Sequence, residues 1–137
     1  MKINERRERT KKYLKQISVF NARISRRKKW IQELEAYKEH MDPKRYQKYI
    51  DQSLELIEGF TNKRDELISQ IVTLPDQYAD LLLLLYVKDI RVTELPEIMS
   101  FGERWIFRRV NTALDLFYQR YGANIDYVIP MEEDNDQ

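Results

Sequence analysis

Between Tyr13 and Met41 the apolar positions fall at Tyr13, Ile17, Phe20, Ile24, Ile31, Leu34 and Met41. Steps of three, four and seven residues give a repeat of about 3.5, which predicts a coiled-coil-like helix and not a strand. Arg27 and Lys38 take two of the seam places, and Ser18, Val19, Asn21 and Ser25 lower the helical propensity enough to allow a break near Phe20. Asp42-Pro43 then punctuates the pattern. Aspartate is a favoured N-cap and proline a favoured first helical residue, so a second helix is expected here. Its apolar face uses Tyr46, Ile50, Leu54, Ile57, Phe60, Leu67, Ile68 and Ile71. A turn centred near Asp42 folds this helix back on the first. Leu34 then comes opposite Ile50, Ile31 opposite Leu54, Ile17 opposite Leu67 or Ile68, and Arg27 near Glu58, which could pair with it.

Thr73, Leu74 and Pro75 repeat the device and predict a third helix from about Asp76 to Val87. Its leucine run, Leu81 to Leu85, is that of a central helix buried in a small bundle. A loop from Lys88 to Val92 follows. Thr93 caps a short helix, Glu94 to Met99, with Glu94 and Glu97 near its positive end. A last helix runs from about Gly102 to Tyr121, and Gly122 suits a left-handed C-terminal cap. At its start Ser100 and Glu103 mimic a capping box, but register against a helix-turn-helix pattern puts the cap at Gly102, leaves Ser100 in the turn and makes Ile106, Val110 and Leu114 core positions.

A helix of about 12 residues, a short helix, a tight turn and a longer helix make a helix-turn-helix layout. Leu95, Ile98 and Met99 would pack on Ile106, Val110 and Leu114, with the leucine run as the third wall. Arg104, Arg108, Asn111 and Thr112 are then left on the outer face of the last helix, where a recognition helix meets base edges and phosphates. Trp105 and Phe107 have two open roles, packing against the hairpin or offering a partner surface.

Charge sharpens this picture. The 137-residue chain has a net charge of only +1. Met1 to Lys29, however, carries twelve lysines and arginines against Glu5 and Glu8, while Trp30 to Gly102 has a net charge of −6. Ten net positive charges in the first 29 residues have two readings, a charged face that keeps a long helix soluble or, since they exceed what solubility requires, an electrostatic handle for phosphates. The chain ends in MEEDNDQ, an acidic stretch expected to be disordered.

With no cysteine, disulfides and thiolate metal sites are excluded. His40 is the single histidine and reads as a solvated turn residue. GxGxxG, Walker, GxSxG and HExxH motifs are absent, and the carboxylates lie at ordinary surface spacings. The chain is therefore expected to be non-enzymatic, with no cofactor, metal or small-molecule substrate. No apolar run approaches the roughly 20 residues of a membrane span, and the N-terminus lacks the apolar core of a signal peptide. A soluble, cytoplasmic protein without membrane partners is the expectation.

The stretch LPDQYADLLLLLYVKDIRVTELPEIMSFGERWIFRRVNTALDLF resembles region 4 of bacterial sigma-70-type factors. There a leucine-rich helix and a short helix precede a recognition helix with an arginine-rich run followed by Ala-Leu. The chain length and the basic helical N-terminal half resemble small phage transcriptional regulators of the RinA/ArpU type. The resemblance is best over residues 74–117. It implies that Leu95, Ile98 and Met99 are core positions of the first helix, and Ile106, Val110, Ala113 and Leu114 those of the recognition helix. Arg104, Arg108 and Arg109 match the variable polar positions that touch DNA. Two features depart from the pattern: Pro96 stands where a helix former is usual, and the turn reads Ser100-Phe101-Gly102, whose cap supplies no side-chain oxygen.

These readings predict an all-α protein: an N-terminal helical hairpin over residues 1–74, a sigma region 4-like helix-turn-helix bundle over 75–121, and an acidic tail over 122–137. The function expected is a phage or prophage transcriptional regulator. It would bind double-stranded DNA through Arg104, Arg108, Asn111 and Thr112, with Arg109 as a phosphate contact. A homodimer reading paired half-sites fits that role, and RNA polymerase is a further candidate partner. The alternative is a protein-interaction module that binds RNA polymerase or a phage packaging or assembly component.

Overall fold

A computed structural model describes residues 1–130. Among these the chain is all-α, with five helices and no strand. They are α1 (Ile3–Tyr37), α2 (Pro43–Ile71), α3 (Asp76–Tyr86), α4 (Leu95–Met99) and α5 (Glu103–Val128). Short 3₁₀ turns at Lys38–His40 and Val92–Glu94 lie between them. No helix among the described residues is long and apolar enough to cross a membrane.

The hairpin forms around the expected turn. The Asp42 carboxylate accepts a hydrogen bond from the backbone N–H of Arg45 at 3.3 Å, and Pro43 occupies the first helical position. Contacts between side chains tie the two helices together. The Tyr13 hydroxyl donates to Gln70 Oε1 at 2.8 Å, Arg64 donates to Asn21 at 3.0 Å, and the rings of Phe20 and Phe60 stack at 6.3 Å.

Three details of the hairpin differ from expectation. The helix does not break at Phe20, because Tyr13, Ile17, Phe20 and Ile24 are all buried and their packing outweighs the weak propensity around them. Leu54 is exposed, and Ser53 is buried in its place. The heptad through residues 46, 50, 53, 57, 60, 64, 67 and 71 puts position 53 on the seam and rotates position 54 outward. Arg27 does not pair with Glu58; it lines the rim of a surface groove instead.

Across the base of the hairpin, α3 and α5 close the core. Leu81 and Leu82 are fully buried, while Leu83, Leu84 and Leu85 are half-buried and pack around them. Phe117 of α5 lies at the centre, its ring 5.9 Å from that of Tyr13 and 5.0 Å from that of Tyr121. The aromatic rings thus join α1 to α5 directly.

The C-terminal helix is longer than predicted. Gly122 does not end it: the backbone departs from helical geometry at Tyr121 (φ −120°, ψ 19°), then resumes to Val128. Ile125, fully buried, supplies the reason, since turning the chain out at residue 122 would expose it. Gly122 serves a close approach, since a Cβ there would sit 3.2 Å from the Tyr118 ring. Residues 122–128, expected in the tail, therefore belong to α5, and MEEDNDQ lies outside the described residues.

Candidate nucleic-acid interface

The unit from α3 to α5 has the helix-turn-helix order. The 3₁₀ turn Val92–Glu94 leads into α4, and Thr93 provides no side-chain cap. Leu95 is fully buried and Met99 half-buried, but Ile98, expected in the core, is 52% exposed. A helix of five residues offers only one narrow face, and Leu95 together with Val92 and Met99 fills it.

Ser100 ends α4 in the left-handed conformation (φ 58°, ψ 38°), and the N–H of Phe101 closes the end by donating to the Pro96 carbonyl at 3.3 Å. A non-glycine residue in this conformation carries a cost of about 1 kcal/mol. Gly102 is the N-cap of α5, its carbonyl accepting from the Ile106 N–H at 3.1 Å, and no side chain caps the helix. The Ser100–Glu103 pair is thus no capping box.

Helical periodicity sorts α5 into two faces. Ile106, Val110, Ala113, Leu114 and Phe117 are buried. On the outer side Arg104 and Arg108 are exposed, one turn apart, and neither forms a salt bridge among the described residues. Thr112 is exposed on the same side; its hydroxyl donates to the Arg108 carbonyl at 2.9 Å, which leaves its oxygen as an acceptor. Asn111 is half-buried at the edge of this face.

Arg109 is placed differently from the others. It is half-buried, its guanidinium lies 4.7 Å from the Trp105 ring centroid, and it donates to the Tyr78 hydroxyl at 3.4 Å. Trp105 in turn stacks on Phe101 at 4.0 Å. Phe101, Trp105, Arg109 and Tyr78 therefore form one column that fixes the turn against α3, and Arg109 is held within it instead of standing free. Trp105 packs within this column and against the core, whereas Phe107 is 52% exposed beside the arginines.

The N-terminal basic cluster contains a feature that sequence patterning did not reveal. Arg7 donates twice to the Asp115 carboxylate, at 2.9 and 2.8 Å. Arg9 bonds Asp126 at 2.8 Å and also the carbonyl of Ile129, and Arg6 lies over the Tyr118 ring. Three of the arginines expected to hold phosphate thus clasp α1 to α5. Asp115 lies seven residues beyond Arg108, two turns further along the same outer side of α5. Arg7 neutralises that carboxylate, which unpaired would repel a phosphate backbone approaching the arginines. Arg26, Lys28 and Lys29 remain exposed further along α1.

Among the described residues no cluster of three histidine, aspartate or glutamate side chains is arranged to hold a metal ion. Burial pushes the Tyr86 phenol up to about 12, the nearby Glu8 carboxylate adding to the shift. Tyr86 lies at the end of α3 and lines a surface pocket with Ser18, Asn21 and Ser25 of α1. Comparison with protein-family models, curated proteins and solved structures finds nothing that matches this chain.

Proposed function

We propose that the protein is a DNA-binding transcriptional regulator of phage or prophage type, with α5 as its recognition helix. The observation that carries this reading is the outer face of α5. Arg104 and Arg108 stand exposed and without salt-bridge partners among the described residues, on the first turns of a helix held rigidly from behind. Arginine presents a planar fork of donors that matches guanine O6 and N7 or a phosphate, and Asn111 and Thr112 extend the polar surface by another turn. The Phe101–Trp105–Arg109 column and the Arg7–Asp115 clasp keep that helix from shifting on its support. Pre-ordering of this kind lowers the entropy lost on binding. The exposed lysines and arginines of α1 would add sequence-independent affinity.

Selection of bound sequences from random duplex DNA by the purified protein tests this. A single enriched motif is expected, and Arg104→Ala/Arg108→Ala should lose it while keeping its helical content. A motif retained by the double variant would refute the assignment of the reading helix.

A second reading has its own observation. Ile98, Phe101 and Phe107 are each about half exposed around the same arginines. Apolar groups of this size near a basic face suit a protein partner such as RNA polymerase or an assembly component. In that case random DNA yields no motif, and binding of the protein partner depends on Phe107.

A further inference from the structure

Beyond the contacts with α3 and α5 the hairpin continues as two helices alone. Between residues 24 and 60 only Ile24, Leu34 and Ser53 are buried. Beside the seam lies a second stripe at positions 45, 49, 52, 56, 59 and 63 of α2, again with alternating steps of four and three. Facing it on α1 are Arg27, Trp30, Leu34 and Tyr37. Together they wall a groove of about 1300 Å³. Over the buried Leu34, three of its apolar side chains are open to solvent, with Trp30 41%, Tyr37 61% and Leu56 39% exposed.

Three observations specify what covers it. The first is length. Arg45 and Lys63 are eighteen residues apart on a straight helix, about 27 Å, which matches an occupant helix of about five turns. The second is charge. The lining carries Arg27, Arg45 and Lys63 against the single carboxylate of Glu55. A second copy laid antiparallel would bring Arg45 against Arg27 and Lys63, and a parallel copy would bring each cation against its own kind; both arrangements are repulsive. An acidic partner is attracted at both ends. The third is Gly59. It sits mid-helix, exposed, and a Cβ there would meet nothing within 4 Å. Nothing among the described residues requires glycine at this position, where it disfavours the helix. A backbone crossing α2 closely at that point would require it.

We propose that the distal hairpin groove binds an acidic amphipathic helix of a partner protein, which completes a three-helix bundle with α1 and α2. The apolar stripe of the partner would lie on Trp30 and Leu56, its backbone would cross at Gly59, and its carboxylates would meet Arg27, Arg45 and Lys63. The surface is separate from α5, so it stands or falls independently of DNA reading.

The test uses the full chain and a displayed library of helices of about 18 residues, with an apolar stripe and flanking positions randomised among Glu, Gln and Lys. Enrichment of Glu at the flanks is expected. A synthetic peptide of the enriched sequence should bind the Gly59→Leu and Arg45→Glu/Lys63→Glu variants at least about tenfold more weakly. Gly59→Ala should raise the thermal midpoint of the free protein, and Gly59→Leu should leave helical content and DNA binding unchanged. No enrichment, enrichment of Lys or Gln, or equal binding to Gly59→Leu would overturn the proposal. So would a concentration-dependent dimer that Gly59→Leu dissociates, since the groove would then belong to a second copy.

Discussion

The clasp between Arg7 and Asp115 links residues 108 positions apart, and its strength can be worked out from its geometry. Two parallel charge-assisted bonds of 2.9 and 2.8 Å form a fork, the strongest arrangement available to an ion pair. The side chains are 23% and 34% exposed, so water screens part of the attraction. Fully exposed pairs contribute at most about 1 kcal/mol, whereas breaking a fully buried pair costs about 3–5 kcal/mol. The intermediate burial places the single changes Arg7→Ala and Asp115→Asn at about 1–2 kcal/mol each, with a coupling energy near 1 kcal/mol. Urea unfolding of both single variants and the double variant measures that coupling, and repeating the cycle at high salt should reduce it. A coupling below about 0.3 kcal/mol, the scatter expected of independent sites, would show that the clasp adds nothing to the docking of α1 on α5. The cycle has a second readout. Arg7→Ala uncovers a carboxylate on the outer side of α5; under the proposed function it should weaken DNA binding, and adding Asp115→Asn should restore it.

Other consequences concern pH and the core. Burial favours the neutral Tyr86 phenol, so its folded pKa of about 12 lies above the ordinary phenol value of about 10. That stability is fully present below pH 10 and is lost as the pH climbs toward 12, a loss of about 2–3 kcal/mol. Alkaline unfolding monitored by circular dichroism should lose this dependence in Tyr86→Phe; an unchanged profile would place its cause elsewhere. Phe117→Ala, which empties the space between Tyr13 and Tyr121, should cost about 3–5 kcal/mol in chemical denaturation, and a cost below 1 kcal/mol would contradict its central position.

Local chemistry accounts for what was legible in the sequence. Asp42-Pro43 announces a helix start by capping geometry alone, and the turn position then fixes the register that pairs Tyr13 with Gln70. The buried leucines of α3 and the Gly102 cap were readable for the same reason. Differences arise where long-range packing decides. Ser53 displaces Leu54 because the partner helix selects the seam, and Ile125 carries α5 past Gly122 because a buried position awaits it.

On the candidate site, Arg104, Arg108 and Thr112 lie on the outer face where periodicity put them, with Asn111 at its edge. Arg109 departs because Trp105 and Tyr78 offer it a stacking partner and an acceptor. Arg7 and Arg9 looked like free cations because their acceptors, Asp115 and Asp126, lie more than a hundred residues away. No local pattern announces such a pair.

Salt dependence of DNA binding tests the central claim most directly. Each phosphate contact contributes a slope of about −0.9 in log K against log salt. A steep negative slope is expected for the wild-type protein on its selected site. Arg104→Ala/Arg108→Ala should lose the preference for that site over random DNA while retaining the slope contributed by α1. Equal discrimination by the wild type and the double variant would contradict the account, and so would a wild-type slope near zero.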